Sequence, residues 1–167
     1  APKLMICKGN GYTEPSYTAA VSKMAEGITV ATEFVAGTKG KEISDGYKAA
    51  YNTDMNGHSA EAFTVVEIYA EAFKNILDAG KEITPETIQK ELSTIKIDGK
   101  FKNGTAMVLP YDKIEFCQET NINGTKYLHS NLNGALTMTQ FQGGVLKAIY
   151  PDSVKTAEFK YPATYGK

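Results

Sequence analysis

The first 34 residues constrain the fold most, because their apolar pattern changes from strand to helix and back. Residues 3–7 are a short, nearly continuous apolar run leading into a glycine-containing loop at residues 9–15, which is typical of a buried strand in a parallel sheet. Residues 27–34 carry β-branched side chains and predict a second strand. Between them, Ser16 is a candidate N-cap for a helix whose core face would carry Tyr17, Ala20, Val21 and Met24. This order predicts a β-loop-α-β unit and an α/β fold.

Three helices are predicted after a small-residue connector at residues 36–40. The first carries Ile43, Tyr47, Ala50 and Tyr51 at helical spacing, and Asn56-Gly57 is expected to close that segment. The third begins at Thr84-Pro85, because a cap residue followed by proline favours a helix start. Its buried face is expected to consist of Ile88, Leu92 and Ile95.

The second helix is the longest, with Ser59 as the expected N-cap and Gly80 as the expected stop. Glutamates on one of its faces are expected to be solvated surface. The apolar stripe that should face the core consists of Ala62, Phe63, Val66, Tyr69, Ala70, Phe73 and Leu77. The glutamates are Glu61, Glu67 and Glu71.

After Lys96, glycines separate short segments that read as strands. Residues 113–117 and 135–141 are the clearest of these. A hairpin is predicted where Gln142-Gly143-Gly144 precedes a further apolar run, with Gly144 suited to a positive φ. The remaining residues, with Tyr150-Pro151 and Tyr161-Pro162, should be extended and irregular.

Composition excludes several classes of function. The net charge of −1 provides no basic field for nucleic acid. All 18 basic residues are lysines, so no guanidinium is present to bind a phosphate in a bidentate way. No apolar run approaches the roughly 20 residues that span a bilayer. The length of 167 residues suits one domain of ordinary size.

The residue types that perform chemistry are scattered along the chain. His58 and His129 are the only histidines, and no His, Cys or Asp cluster has metal-ligand spacing. Cys7 and Cys117 could form a disulfide or be separate buried thiols. Asn103-Gly-Thr and Asn123-Gly-Thr fit the glycosylation pattern, although Asn-Gly is more simply a turn. The sequence therefore predicts no catalytic group, no metal and no cofactor, and a protein that is not an enzyme.

Four segments, taken in chain order, resemble a known family. They resemble the C-terminal half of the type 1 solute-binding proteins of ABC importers, in the branch that binds branched-chain amino acids and amides. The third segment departs from the family pattern, because Gln118 and Glu119 stand where the family has a glycine-bearing turn. The segments are Gly9-Asn10-Gly11-Tyr12 with Pro15 and Ala25-Glu26-Gly27; Tyr47 to Tyr51 with Ala60 to Tyr69 and Ala72; Ile114-Glu115-Phe116 with Asn121; and Gln140-Phe141-Gln142-Gly143-Gly144 with Tyr150-Pro151.

The resemblance implies a periplasmic-binding-protein type 1-like fold with two flavodoxin-like α/β lobes. Residues 1–35 would belong to the C-terminal lobe, residues 36–118 would return as helices to the N-terminal lobe, and residues 119–167 would cross back as a β tail. The segments 36–40 and 112–121 would be hinge strands. The apolar stripe of the long helix needs a sheet to cover, and the sequence predicts too few buried strands to form one. The chain also starts almost directly on a strand. We therefore expect a fragment, with a missing N-terminal half that completes both lobes.

The same resemblance implies the substrate-binding component of an ABC importer. The expected partners are a small amino acid-like ligand, a membrane permease and the missing N-terminal half. The expected location is periplasmic or extracellular, with a lipid anchor on the missing N-terminus as one option. The alternatives from other classes are a ligand-sensing regulatory domain and a small flavodoxin-like enzyme.

The loop at residues 9–15 is the first candidate ligand site. A βα turn explains its glycines without any ligand. In open α/β folds, however, ligands bind beyond the carboxyl ends of the strands, where this loop lies. Asn10, Gly11 and Tyr12 are therefore the predicted ligand contacts. From the resemblance, Phe63 is a fourth, as an aromatic at the start of the long helix; its alternative role is a core residue.

Overall fold

The computed structural model describes residues 2–163 and residue 165. They fall into two compact units. Unit 1 contains residues 2–61, Val108–Pro110 and the described residues from 135 onward, and unit 2 contains Ala62–Met107 and Tyr111–Gly134. These boundaries differ from those of the expected lobe segments, and the assignment of residues 1–35, 36–118 and 119–167 to lobes stays a prediction.

The described residues are mixed α/β. The α-helices are α1 (Pro15–Val21), α2 (Lys41–Tyr51), α3 (Gly57–Asp78) and α4 (Pro85–Leu92). The strands are β1 (Ile6–Lys8), β2 (Thr29–Thr32), β3 (Lys96–Asp98), β4 (Lys113–Glu115), β5 (Thr120–Ile122), β6 (Thr125–Tyr127), β7 (Thr137–Gln142) and β8 (Val145–Tyr150).

Unit 1 is built on a four-stranded mixed sheet in the order β1-β2-β7-β8. β1 runs parallel to β2, and α1 connects them, which confirms the predicted β-loop-α-β unit. β2 pairs with β7, and β7 with β8, in antiparallel fashion. The prediction of a buried strand at residues 3–7 is wrong. The strand begins later, and Ile6 is 60% exposed because β1 lies at the edge of the sheet.

α1 packs on one face of this sheet. Tyr17 and Val21 contact the buried cluster that contains Val30 and Phe141, as the helical spacing predicted. Met24 was expected on the same face but is 70% exposed. The α-helix ends at Val21, and Ser22 adopts a positive φ of 45°, so the following residues leave the helical face.

The predicted cap of α1 is also wrong. Pro15 is the first residue of α1, and Glu14 rather than Ser16 occupies the N-cap position. Proline at the first helical position has a fixed φ suited to the helix and no N–H that would need a partner. The proline therefore sets the start of the helix without a side-chain cap.

The β7–β8 hairpin is bonded to a segment more than 100 residues earlier in the chain. Gly143 and Gly144 both have positive φ, as the predicted tight turn requires. The Glu26 carboxylate accepts hydrogen bonds from both of their N–H groups, at 2.8 and 3.3 Å. Gly27 donates its N–H to the Phe141 carbonyl at 2.9 Å. Two segments that carry the family resemblance are thus bonded to each other, which gives them a structural role.

α2 and the start of α3 follow one another closely. α2 has the predicted place, but it ends at Asn52, which has a left-handed φ of 53°. Asn56 does not close α2 as expected; it caps α3. Its side-chain Oδ1 accepts from the Ser59 N–H at 2.9 Å, and the Ser59 hydroxyl accepts from the Asn56 N–H at 2.8 Å. Ser59 is therefore the N3 residue of a capping box, the third residue of the helix, and not the N-cap.

In unit 2, α3 buries a different face from the predicted one. Ile68, Ala72 and Ile76 are buried, whereas Val66 is 65% exposed and Leu77 is 59% exposed. The buried face contacts a cluster that includes Ile97, Phe101, Met107 and Ile114. Helical spacing is satisfied by both apolar faces, and the choice between them depends on partners distant in sequence.

Glu71 was expected on the solvated surface, and it is only 6% exposed. Its carboxylate accepts a hydrogen bond from the Lys102 backbone N–H at 2.8 Å. One turn earlier, Glu67 accepts from the Asn103 side-chain amide at 2.7 Å. These glutamates fasten the loop after β3 to α3, which is why one of them lies in the interior.

The predicted buried face of the third helix is wrong, because α4 ends at Leu92, before Ile95, and contains no buried residue. The predicted caps and the turn in unit 2 are confirmed. Gly80 has a φ of 67°, and its N–H and that of Lys81 bond to Leu77 and Ile76 as a helix C-cap requires. Thr84 caps α4 in a capping box, with Pro85 as the first helical residue. Asn123-Gly124 forms the turn between β5 and β6. None of the helices in the described ranges is long and apolar enough to cross a membrane.

Candidate functional site

The loop after β1 has a defined conformation. It leaves the carboxyl end of β1 at Gly9, whose φ of 127° requires glycine. Asn10–Thr13 then form a single 3-10 turn. The Tyr12 N–H donates to the Gly9 carbonyl at 3.2 Å, and the Thr13 hydroxyl donates to the Asn10 carbonyl at 2.7 Å. The predicted ligand loop is therefore held in shape by its own hydrogen bonds.

The same loop is fastened to the first turn of α3 at two points. The Asn56 side-chain amide donates to the Glu14 carboxylate at 2.8 Å. The Asn10 Nδ2 lies 3.2 Å from Nδ1 of His58. We call Asn10, Glu14, Asn56, Gly57 and His58 the loop–helix site. All five belong to unit 1.

The sequence interpretation missed Asn56, Gly57 and His58 as members of this site. The sequence pattern predicts Asn56-Gly57 to be a helix end, and it offers His58 only as a possible metal ligand. The pattern Asn56-x-x-Ser59 is a capping signal that could have placed the helix start, and with it the site, correctly. Nothing local in the sequence indicates that Asn10 contacts a residue 48 positions away.

Gly57 allows Asn10 to approach closely. A Cβ at position 57 would lie 2.9 Å from the Asn10 Oδ1, well inside van der Waals contact. The Oδ1 atom is itself buried and has no hydrogen-bond partner among the described residues. The amide of Asn10 is thus confined between the helix backbone and the His58 ring.

We expect Gly57→Ala to move Asn10 with little loss of stability. The added methyl group meets only the end of a side chain, so Asn10 can move without a shift of the backbone. In ¹H–¹⁵N NMR spectra, the side-chain amide signals of Asn10 should shift. Gly46→Ala is the matched control, because Gly46 lies within α2 with open space around it. Unmoved Asn10 signals in Gly57→Ala would contradict the close contact.

Tyr12 faces the core more than the sequence suggested. Its ring packs edge-on against Tyr17, with ring centroids 5.3 Å apart, and both contact the buried cluster of unit 1. A hydrogen bond with the Cys7 side chain is the main reason why the pKa of Tyr12 is raised. The hydroxyl therefore stays neutral at physiological pH. Gly11 is exposed at the tip of the loop.

Phe63, the fourth predicted contact, is half-buried on α3 and belongs to unit 2. Asn10, Gly11 and Tyr12 lie together in unit 1. Ligand contact by each of these four residues stays a prediction. Cys7 and Cys117 are free thiols, as the second of the two expectations has it, but each is half-buried rather than buried.

A cavity of about 570 Å³ adjoins the loop within unit 1. Its volume is in the range of small-molecule sites. Asp54 is the one titratable residue in its lining, and its carboxylate pairs with Lys48 at 2.8 Å. That hydrogen bond raises the pKa of Lys48. The lining consists of Thr13 and Pro15 of the loop and first turn, Thr18 and Ala19 of α1, Phe34, Val35 and Ala36 after β2, Asp54, Met55 and Asn56 before α3, and Val145 and Leu146 of β8.

Within residues 2–163 and 165, no three His, Cys, Asp or Glu side chains are grouped so that they could hold a metal ion. No protein-family model matches the chain, and no curated protein matches it.

Proposed function

We propose that this chain is part of the substrate-binding component of an ABC importer of the type 1 solute-binding class. The observation that carries the proposal is the cavity lined by residues that follow β1 and β2, together with Val145 and Leu146 of β8. Ligands of open α/β folds bind beyond the carboxyl ends of parallel strands, where the first of these residues lie. The cavity has the size of a small-molecule site.

The chemistry of the lining favours binding over catalysis. An enzyme pocket is expected to contain titratable groups whose pKa values suit proton transfer or nucleophilic attack. Here the lining is mostly aliphatic, with the hydroxyls of Thr13 and Thr18, the amide of Asn56 and the paired carboxylate of Asp54. Neutral donors and apolar walls are the features of a pocket that captures a ligand unchanged. This observation supports the binding protein over the enzyme alternative.

The ligand class follows from the same lining. An aliphatic body of a few carbon atoms suits the apolar walls, and amide, hydroxyl and backbone groups suit a polar end. An amino acid or a small amide combines these features. In the proposed mechanism, an open form captures the ligand, a second lobe closes over it, and the permease binds the closed form.

Ligand screening tests the proposal. The protein should be expressed from its complete natural reading frame and screened by thermal shift and calorimetry against amino acids and amides. Stabilisation by one of them, with no change in the ligand, is the expected result. If no such ligand stabilises the protein and one of them is turned over, the proposal is wrong.

We further expect Asn10→Ala to weaken binding of that ligand about tenfold, which corresponds to the loss of one hydrogen bond. Asn133→Ala is the matched control, because the Asn133 side chain is exposed and bonds only to Asn131 in the described structure. Tyr12→Phe removes the phenol hydroxyl and preserves the ring packing, whereas Tyr12→Ala would also disturb the contact with Tyr17. Unchanged affinity in Asn10→Ala, measured by calorimetry, would remove Asn10 from the ligand site.

A further inference from the structure

The chain contains five Asn-Gly pairs, and the structure restrains them to different degrees. In this dipeptide, the backbone nitrogen of the glycine can attack the side-chain Cγ of the asparagine, because no Cβ on the glycine obstructs the approach. The reaction needs a side chain and a backbone that are free to move. The pairs are Asn10-Gly11, Asn56-Gly57, Asn103-Gly104, Asn123-Gly124 and Asn133-Gly134.

In two of the pairs, a carboxylate and a backbone N–H hold the asparagine side chain at both ends. The Asn56 amide donates to Glu14 at 2.8 Å, and its Oδ1 accepts from the Ser59 N–H at 2.9 Å. The Asn103 amide donates to Glu67 at 2.7 Å, and its Oδ1 accepts from the backbone N–H two residues further on at 2.9 Å. Hydrogen bonds to a charged group are stronger than neutral ones, so both side chains are held firmly.

Two further pairs are restrained by neutral groups. The Asn10 side chain lies against the backbone at Gly57, and its Oδ1 is buried. The Asn133 amide donates to the Asn131 Oδ1 at 3.1 Å. The Asn131 amide is itself bonded to the Lys113 carbonyl of β4 at 3.1 Å. Both side chains must leave these contacts before Cγ can be attacked.

Asn123 differs from the other four asparagines. It is exposed at the tip of the β5–β6 hairpin, and its side chain makes no hydrogen bond within the part of the chain that the structure describes. Asn123 and Gly124 have positive φ values of 51° and 81°, the two-residue turn for which Asn-Gly is favoured. The Gly124 N–H donates to the Oδ1 of Asn121, an exposed side chain, at 3.0 Å. That single bond restrains the attacking nitrogen.

The hairpin itself opens readily. β5 and β6 form a separate two-stranded sheet with three residues in each strand, and none of these residues is buried. A hairpin of this size is marginally stable in water, so local opening of the turn costs little free energy. Opening releases the Gly124 nitrogen, which can then approach the Cγ of Asn123.

We propose that Asn123 is a site of spontaneous covalent modification, which converts it through a succinimide to aspartate and isoaspartate. The Gly124 nitrogen loses its proton to solvent and bonds to the Asn123 Cγ. The Cγ–Nδ2 bond breaks, and the amide nitrogen leaves as ammonia. One water molecule then opens the ring at either carbonyl, which gives aspartate or isoaspartate. The net change is the exchange of ammonia for water, with no redox step.

The modification changes both the charge and the backbone of the hairpin. Either product adds a carboxylate at the tip, where the whole chain has a net charge of only −1. Isoaspartate also adds a methylene group to the main chain, so the two-residue turn no longer fits the pairing of Ile122 with Thr125. We therefore expect the β5–β6 pairing to be lost in the isoaspartyl form. This consequence does not depend on the proposed function.

The test is incubation of the folded 167-residue chain at mildly alkaline pH, followed by peptide mapping with mass spectrometry and enzymatic methylation of isoaspartate. We expect Asn123 to be modified first, with Asn56 and Asn103 slower by about tenfold or more. In concentrated urea, the rates at the five asparagines should become similar, because glycine follows each of them. Equal rates in the folded chain, or faster modification at any of the other four sites, would overturn the inference.

Two variants test whether the hydrogen bonds control the rates. Asn121→Ala removes the bond to the Gly124 N–H and should speed the modification of Asn123. Glu67→Ala releases the Asn103 amide and should speed the modification of Asn103 while the rate at Asn123 is unchanged. An unchanged Asn103 rate in folded Glu67→Ala would also count against the inference. If a variant does not fold, the unmodified chain still decides, because the five rates are compared within one molecule.

Discussion

Phe141→Ala is expected to lower the free energy of unfolding by about 3–5 kcal/mol, the usual cost of removing a fully buried aromatic ring. Phe141 is 0% exposed and contacts Ala25 and Val30 in the core of unit 1. Its ring centroid lies 6.2 Å from that of Tyr17, which in turn packs against Tyr12. Urea unfolding followed by circular dichroism measures the change. The NMR signals of Tyr12 should also shift. The space left by the Phe141 ring would let Tyr17 move, and Tyr12 packs against Tyr17.

Phe159→Ala is the matched control for this prediction. Phe159 is 44% exposed, so the same substitution removes much less buried surface. A loss below about 1 kcal/mol is expected there, in the range usual for surface substitutions. Equal losses in the two variants would show that the sheet core is not centred on Phe141.

Gln140→Ala is expected to lower the free energy of unfolding by about 2–4 kcal/mol, because it leaves the buried Gly27 carbonyl without its partner and removes two partly buried hydrogen bonds to the Lys160 backbone. Gln140 is 0% exposed. Its Nε2 donates to the carbonyls of Gly27 at 3.2 Å and Lys160 at 3.1 Å. Its Oε1 accepts from the Lys160 N–H at 3.0 Å. The side chain thus joins β7 to the start of β2 and to the C-terminal segment.

Gln142→Ala provides the comparison on the same strand. The Gln142 amide donates to the exposed Glu158 carbonyl at 2.8 Å and to Gln140. Water can replace the first of these bonds, so a loss of about 1 kcal/mol is expected. The same urea experiment measures both variants. A Gln140→Ala loss no larger than that of Gln142→Ala would contradict the network described for Gln140.

The sequence was sufficient wherever a few neighbouring residues decide the structure. The caps at Thr84 and Gly80 and the hairpin at Gly144 are of this kind. The sequence was insufficient where contacts with residues far away in the chain determine the structure. α3 has two apolar faces, and only its packing against Ile97 and Ile114 selects the one that is buried. Glu71 is interior because a backbone N–H from the Lys102 loop meets it there.

The candidate site shows the same limit. The loop that carries Asn10 and Gly11 could be predicted, because a strand followed by glycines places it at the sheet edge. Its anchor could not be predicted, because His58 lies 48 residues further along the chain. Position 57 is a glycine because the Asn10 side chain occupies the space that a Cβ would fill. A requirement of this kind leaves no periodic pattern in a sequence.

The order of strands in unit 1 has a consequence for how the chain folds. β7 lies between β2 and β8, and Thr139 bonds to Val30 across a separation of 109 residues. Contacts so distant in sequence are slow to form, because the closure entropy of a long loop must be overcome first. During synthesis, the β1-α1-β2 unit emerges before β7, so its β2 edge stays unpaired until β7 has been made. The nascent chain therefore exposes an aggregation-prone edge while residues 33–136 are translated.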